Sequence, residues 1–231
     1  PLYSSAASDV YKRQDGAGKK VTRSDNCRVS DLSVSSDNLT FTYEAKSLPY
    51  PIDTSYYDNE KHTQADALSV IPFMDEMNYE GLSVSGLSDG YYGLTIGGEF
   101  IGRFTARELE RGINMALLQN TPQYKQAMKI RQMNEERWLK ERKMREFYWV
   151  EYNLMRKTGM LWACDEAAVD TLRKYRPHDI FLQWNGDLWL QYMHKGIRED
   201  CVNEQQNLVD RIYEQNKPIP LRIEIKKFTD L

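Results

Sequence analysis

Apolar and polar positions alternate with a period of two through the first part of the chain. Leu39, Phe41 and Tyr43 interleave with Asn38, Thr40 and Thr42, and Leu82 and Val84 with Ser83 and Ser85. Tyr92, Leu94 and Ile96 repeat the pattern up to Gly97-Gly98 and Phe100. Period two puts successive side chains on opposite faces, so these segments predict half-buried strands joined by hairpins. Leu32 and Val34 suggest one more strand. Ser47 to Asn78 contains Pro49, Pro51 and Pro72 and reads as a long irregular connection with a short helix near its end.

Near residue 105 the pattern becomes helical. Thr105-Ala106-Arg107-Glu108 is a capping box flanked by Phe104 and Leu109 at hydrophobic-staple positions, which predicts a helix to about Leu118. Thr121-Pro122 opens a second helix with proline at its first position. That helix extends to Thr158, where Gly159 is a stop, a length of roughly 55 Å at ~1.5 Å per residue. Its middle is a solvated face with Glu136/Lys140 and Glu141/Arg145 pairs in the favourable order. Its end regains an apolar stripe of Met144, Phe147, Tyr148, Leu154 and Met155.

A short helix is predicted from Asp165 to about Tyr175, and a long one from Pro177. The latter has two apolar sides. Phe181, Trp184, Leu188 and Tyr192 lie on one, and Leu182, Trp189, Met193 and Ile197 on the other. A surface this wide has to be largely covered. Trp184 and Leu188 are expected to pack against Phe147, Tyr148 and Leu154 in an antiparallel hairpin. Pro218 and Pro220 end the run, and Leu221 to Ile225 alternates like a final strand. The expected fold class is α+β: a small antiparallel sheet or sandwich-like N-terminal half, followed by a helical half built on a long antiparallel helical hairpin. The expected division is a tag at 1–14, a β-rich accessory domain at 15–104, and at 105–231 a helical region with the hairpin and the terminal strand.

The tag is read from the first residues. Asp9 to Gln14 back-translates to GAT-GTG-TAT-AAG-AGA-CAG, which resembles a transposon end used to mark DNA fragments. Pro1 to Gln14 is therefore set aside from the fold, and the true N-terminus, with any signal peptide, is expected upstream. No apolar run approaches the ~18 residues of a membrane span. The formal net charge is -3, without the concentrated basic face of a nucleic-acid binder. Cys27, Cys164 and Cys201 show neither zinc-site spacing nor a disulfide framework; a Cys164–Cys201 bridge stays open. The 5 Trp and 15 Tyr fill cores but also line carbohydrate and peptide clefts.

Motifs for chemistry mostly fail on context. Gly86-Leu87-Ser88-Asp89-Gly90 has the form of a nucleophile elbow, which needs a strand before the serine and a helix after it. Here a strand follows, so the segment reads as a hairpin turn. Gly97-Gly98-Glu99-Phe100 is similar to a diguanylate cyclase signature but lacks its additional acidic residue, and reads as a two-glycine hairpin. His62, His178 and His194 have no metal-ligand spacing, and there is no glycine-rich phosphate loop. No catalytic, cofactor-binding or metal-ligating residue is assigned, and no cofactor is expected.

One succession is more specific. Leu82-Ser83-Val84-Ser85-Gly86-Leu87 leads to Tyr91-Tyr92-Gly93-Leu94-Thr95-Ile96-Gly97-Gly98, then to Ile101-Gly102-Arg103-Phe104-Thr105-Ala106-Arg107-Glu108-Leu109. Gly112-Ile113-Asn114-Met115-Ala116 and Thr121-Pro122-Gln123-Tyr124-Lys125-Gln126-Ala127 follow. This resembles the region downstream of the catalytic domain in bacterial GDSL-type (SGNH) ester hydrolases, over about Lys20 to Asn134. Gly97 stands where that family usually has Asp, which is neutral for a hairpin. The resemblance implies a serine acyl-transfer enzyme whose Gly-Asp-Ser and D-x-x-H blocks precede Asp15. This chain has neither block, so it is expected to be a non-catalytic portion. The implied partner is the hydrolase domain in cis, with a carbohydrate ester as one substrate class and periplasmic or secreted localisation for the whole protein. The alternative is a glycan- or protein-binding module. No nucleic-acid partner is expected.

Overall fold

The computed structural model describes residues 10–15, 20–36, 38–54 and 62–228. The chain divides into two compact units, one of residues 1–131 with 215–231, the other of 132–214. The expected boundary at 104/105 therefore moves. The segment after Thr105 stays with the β-rich unit, and so does the terminal strand.

The β-rich unit contains β1 (Val10–Asp15), β2 (Lys20–Asp25), β3 (Cys27–Val34), β4 (Asn38–Ala45), a 3-10 turn (Gln64–Ser69), α1 (Phe73–Glu76), β5 (Glu80–Ser85), β6 (Tyr91–Ile96), β7 (Glu99–Thr105), α2 (Ala106–Arg111), β8 (Ile113–Asn114) and β9 (Leu221–Lys227). One sheet has the order β3-β4-β9-β6-β7, the other β2-β1-β5-β8. The first is antiparallel throughout. The second holds one parallel pair, β1 with β5. Part of the segment set aside as a tag thus lies in the fold, where Val10–Asp15 pairs along the edge of β5 that would otherwise stay open.

The period-two reading is borne out where the sheets meet. In register, Leu39 faces Ile225 and Ile225 faces Leu94, while Phe41 faces Ile223 and Ile223 faces Ile96. These side chains, with Tyr43, Tyr92, Leu221, Leu82 and Val84, form one buried core. Each row crosses three strands, and cross-strand neighbours of this kind are what stabilise a sheet. β5 is buried on both faces from Glu80 to Val84. Its Glu80 carboxylate accepts a hydrogen bond from the Tyr43 hydroxyl at 2.6 Å. Burial and that carboxylate push the Tyr43 hydroxyl well above its ordinary range.

The capping box forms as read: Thr105 Oγ1 accepts from the Glu108 amide at 3.1 Å, and the Glu108 carboxylate accepts from the Thr105 amide at 2.7 Å. The helix is shorter than expected. It ends at Gly112, whose φ of 97° leaves the helical region. Beyond it, Asn114 caps the next turn by accepting from Ala116 N–H and also holds Glu80 N–H, so the chain turns back to β5 instead of reaching Leu118 as a helix.

The helical unit takes most of α3 (Pro122–Val150), then one wide π turn (Glu151–Met155), α4 (Glu166–Tyr175), α5 (Ile180–Tyr192) and nearly all of α6 (Lys195–Gln215). The long helix after Pro177 is broken at Met193-His194. The Arg198 guanidinium donates to the carbonyls of Tyr192 and Met193 at 2.6 and 2.7 Å, satisfying groups that a helix end exposes. The antiparallel hairpin is present, with α6 as its second arm. Lys140 pairs with Glu204 at 2.5 Å, and seven residues on, Phe147 lies under Arg198. Cys164 is exposed and Cys201 buried, and both are free thiols.

The face of α5 is a correction. Leu182, Gly186, Trp189 and Tyr192 turn inward, and Leu182, Trp189 and Tyr192 join Met144, Phe147, Val150, Leu154 and Met155. Trp189 is fully buried while Trp184 is 67% exposed. Gly186 is where the Arg176 side chain crosses: a Cβ there would meet its Nε at 3.1 Å. Arg176 also makes a bidentate pair with Asp187 at 2.6 and 2.7 Å, fixing the phase of the helix. Tyr148, expected in the hairpin core, is also exposed. Trp184→Ala is therefore expected to change stability by less than about 0.5 kcal/mol, as surface substitutions do; a urea titration measures it.

Candidate functional site

The helical unit carries a cleft of about 600 Å³. One wall comes from the end of α3 and the loop after the π turn, with Met144, Tyr148 and Trp162. The other is the first two turns of α6, from Lys195 to Asn203.

Trp162 is built into this place from below. The π turn forms where Arg156 N–H reaches back to the Glu151 carbonyl at 2.8 Å. Such a turn rotates the side chains that follow it and recurs at functional sites. It points Glu151 inward, where the residue is 1% exposed. Its two carboxylate oxygens are both used. One accepts from Trp189 Nε1–H at 2.8 Å, the other from the backbone N–H of Trp162 at 2.9 Å. Trp162 has a φ of 64°, a conformation that a bulky residue adopts only when its surroundings enforce it. The buried carboxylate supplies that enforcement.

The indole so presented is 45% exposed. Its plane stands nearly perpendicular to the rings of Tyr148 and Tyr152, with centroids 6.1 and 6.0 Å away. These are edge-to-face contacts, which fix ring orientation. Arg198 lies 4.8 Å from the Phe147 centroid and 6.0 Å from that of Trp162, within cation–π range. Its guanidinium is already held by the carbonyls of Tyr192 and Met193, so it braces the floor. Lys195 pairs with Glu199 at 3.2 Å on the rim. Asp200 and Asn203 complete that side.

Sequence reasoning did not single out Trp162, Glu151 or Arg198. The available signal was Glu151 itself, the acidic residue inside the aromatic run from Phe147 to Tyr152.

The motif residues considered for catalysis are divided between the two units. Ser88 sits in the turn between β5 and β6. Its Oγ accepts from Lys227 Nζ at 2.7 Å and lies 3.1 Å from the Tyr92 hydroxyl, which also donates to the Ser88 carbonyl. These bonds tie the turn to β9. The strand after Ser88 is β6, not the helix an elbow requires. His178 and His194 belong to the helical unit, whereas Ser88 and His62 belong to the β-rich unit. Among the described residues, no group of three His, Cys, Asp or Glu is placed to hold a metal ion, and no helix is long and apolar enough to cross a membrane.

Known proteins resemble both parts of this arrangement. Residues 128–217, the helical unit with short flanks, match the family model described as the diltiazem deacetylase C-terminal helical domain. No curated protein gave a match. Among solved structures, a gut microbial diltiazem-metabolizing enzyme (BT4096) is similar over 97% of this chain, with a TM-score of 0.89 and 34% sequence identity. The chain covers 51% of that enzyme. The α+β fold, with its sheets and its helical unit, is thus shared with about half of a diltiazem-metabolizing enzyme.

Proposed function

We propose that this chain is the non-catalytic C-terminal portion of an ester hydrolase of the SGNH type, acting on acyl esters through a serine in a further domain of the same protein. The observation that carries this reading is the similarity over 97% of the chain to half of a diltiazem-metabolizing enzyme, coupled with the match of 128–217 to a domain described as C-terminal. Removing an acetyl group is acyl transfer to water. It calls for an activated nucleophile, a base to take its proton and donors for the oxyanion. In this chain the elbow-like serine is held by a lysine and a tyrosine in a hairpin turn, an arrangement suited to holding the turn.

Two measurements test the proposal. The coding sequence upstream of this chain is expected to encode a Gly-Asp-Ser block and a D-x-x-H block; a different domain there overturns the hydrolase reading. The purified chain is expected to release no p-nitrophenol from p-nitrophenyl acetate above a heat-denatured control. Turnover that Ser88→Ala abolishes would place a nucleophile in the β5–β6 turn and end the non-catalytic reading.

A further inference from the structure

We infer that the end of the β-rich unit where β5 begins is a docking surface for the domain that precedes this chain in the whole protein. This rests on the proposal that a further domain of the same protein carries the hydrolase chemistry. The occupant is a face of that domain with an apolar centre and a basic rim.

The surface is apolar and open. Val70 is 83% exposed, Ile71 56% and Leu117 55%, and Tyr50 and Met77 are exposed as well. Contacts beneath them join them into one patch. Tyr50 and Asn78 exchange two hydrogen bonds of 2.9 Å, which puts Tyr50 beside the Met77–Asn78 backbone. The Tyr50 ring meets Phe73 edge-on at 5.6 Å, and the Ile71 carbonyl accepts from Phe73 N–H at 2.7 Å. Leu117 follows Ala116, which packs with Ile52 and Met74 underneath. Single apolar side chains on a surface are ordinary, but a contiguous set marks a contact site. The backbone below is fixed in advance. Asn114 Nδ2 donates to the carbonyls of Met74 and Asn78 at 2.8 and 3.2 Å, so little freedom is lost when a partner arrives.

Two observations choose the occupant. The first is where the chain enters the unit. β1 and β5 run parallel, with Val10 opposite Glu80, so both strands start at one end of the sheet. Met77 lies three residues before Glu80. A domain joined ahead of β1 is tethered at that end, and a tether raises its effective concentration at a nearby surface. This chain covers 51% of the similar diltiazem-metabolizing enzyme, and the remainder is long enough for such a domain.

The second is charge. From Thr63 to Glu80 the chain has Asp66, Asp75, Glu76 and Glu80, with no Lys or Arg. Glu80 is buried against Tyr43, and Asp66 caps the turn at Thr63. Asp75 and Glu76 are exposed at the rim, and neither is paired with a cation among the described residues. Their field favours a face carrying Lys or Arg. It disfavours a second copy, whose matching patch would bring two acidic rims together.

Hydroxyl-radical footprinting read by mass spectrometry compares this chain with the whole protein, expressed with its upstream coding sequence. Oxidation of Ile71, Met77 and Leu117 is expected to fall by about fivefold or more in the whole protein, as for side chains in the core of an interface. Phe181 and Trp184, exposed on the helical unit, are expected to be oxidised equally in both. Val70→Asp combined with Leu117→Asp adds like charge to the acidic rim. That variant is expected to restore oxidation of Met77 in the whole protein. It is expected to leave the melting temperature of this chain unchanged, because both side chains are in water. The inference is overturned by undiminished oxidation of Met77, by protection of Trp184 in its place, or by protection that survives the two aspartates. Oxidation of Met77 that falls as the concentration of this chain alone rises assigns the patch to a second copy and also overturns it. The hydrolase reading is decided separately, by whether the upstream domain holds the Gly-Asp-Ser and D-x-x-H blocks. A whole protein with no domain ahead of β1 overturns both.

Discussion

Ending the chain at Pro220 is expected to abolish the cooperative melting of the β-rich unit. β9 lies between β4 and β6 in its sheet, so removing it opens two strand edges at once, each with a row of unpaired backbone groups. It also removes Leu221, Ile223 and Ile225, all buried in the common core. At roughly 1.5–3 kcal/mol for each large apolar side chain, the lost burial alone is about 5–9 kcal/mol, comparable to the ~5–15 kcal/mol of a whole domain. Thermal unfolding followed by circular dichroism in the β region, with limited proteolysis, reads the outcome. A truncated chain that melts as the parent does would show β9 to be peripheral.

The second large effect is expected at Trp189. Truncating a buried aromatic costs about 3–5 kcal/mol, and Trp189→Ala also strips the Glu151 carboxylate of one of its two donors. Trp189→Phe separates the terms. It keeps most of the packing and deletes the indole N–H, so its cost of about 1–3 kcal/mol is that of leaving a buried acceptor short of a partner. Denaturant titrations of both variants, beside Trp184→Ala, check the order. Equal small effects for the two tryptophans would mean that α5 is rotated from the phase that buries Trp189 and exposes Trp184.

That rotation shows where sequence reading stops. The strands were legible because in β4, β6 and β9 the period-two pattern has one apolar face and one polar face, which leaves a single way to place them. The capping box at Thr105 was legible because all its partners lie within four residues. α5 was not, because Phe181, Trp184 and Leu188 on one side match Leu182, Trp189 and Met193 on the other. What decides between them is Arg176 against Gly186 and the donor from Trp189 to Glu151, contacts made across the fold. The position of β9 in the middle of a sheet begun more than 170 residues earlier likewise has no local signature; the alternation marks a strand and does not name its neighbours. The cleft was legible only as aromatic content. Its organiser is one carboxylate that joins residues 11 and 38 positions away.

The way the chain leaves and re-enters the β-rich unit bears on how the protein is made. Residues 132–214 are inserted into that unit, so on the ribosome the whole helical segment appears before the strand that completes the larger sheet. Helical contacts are local and form quickly, whereas strand pairs between distant residues wait for the chain between them. During synthesis β4 and β6 must therefore stand as open, apolar edges until β9 arrives, and that interval is when the nascent protein is most exposed to pairing with the wrong strand.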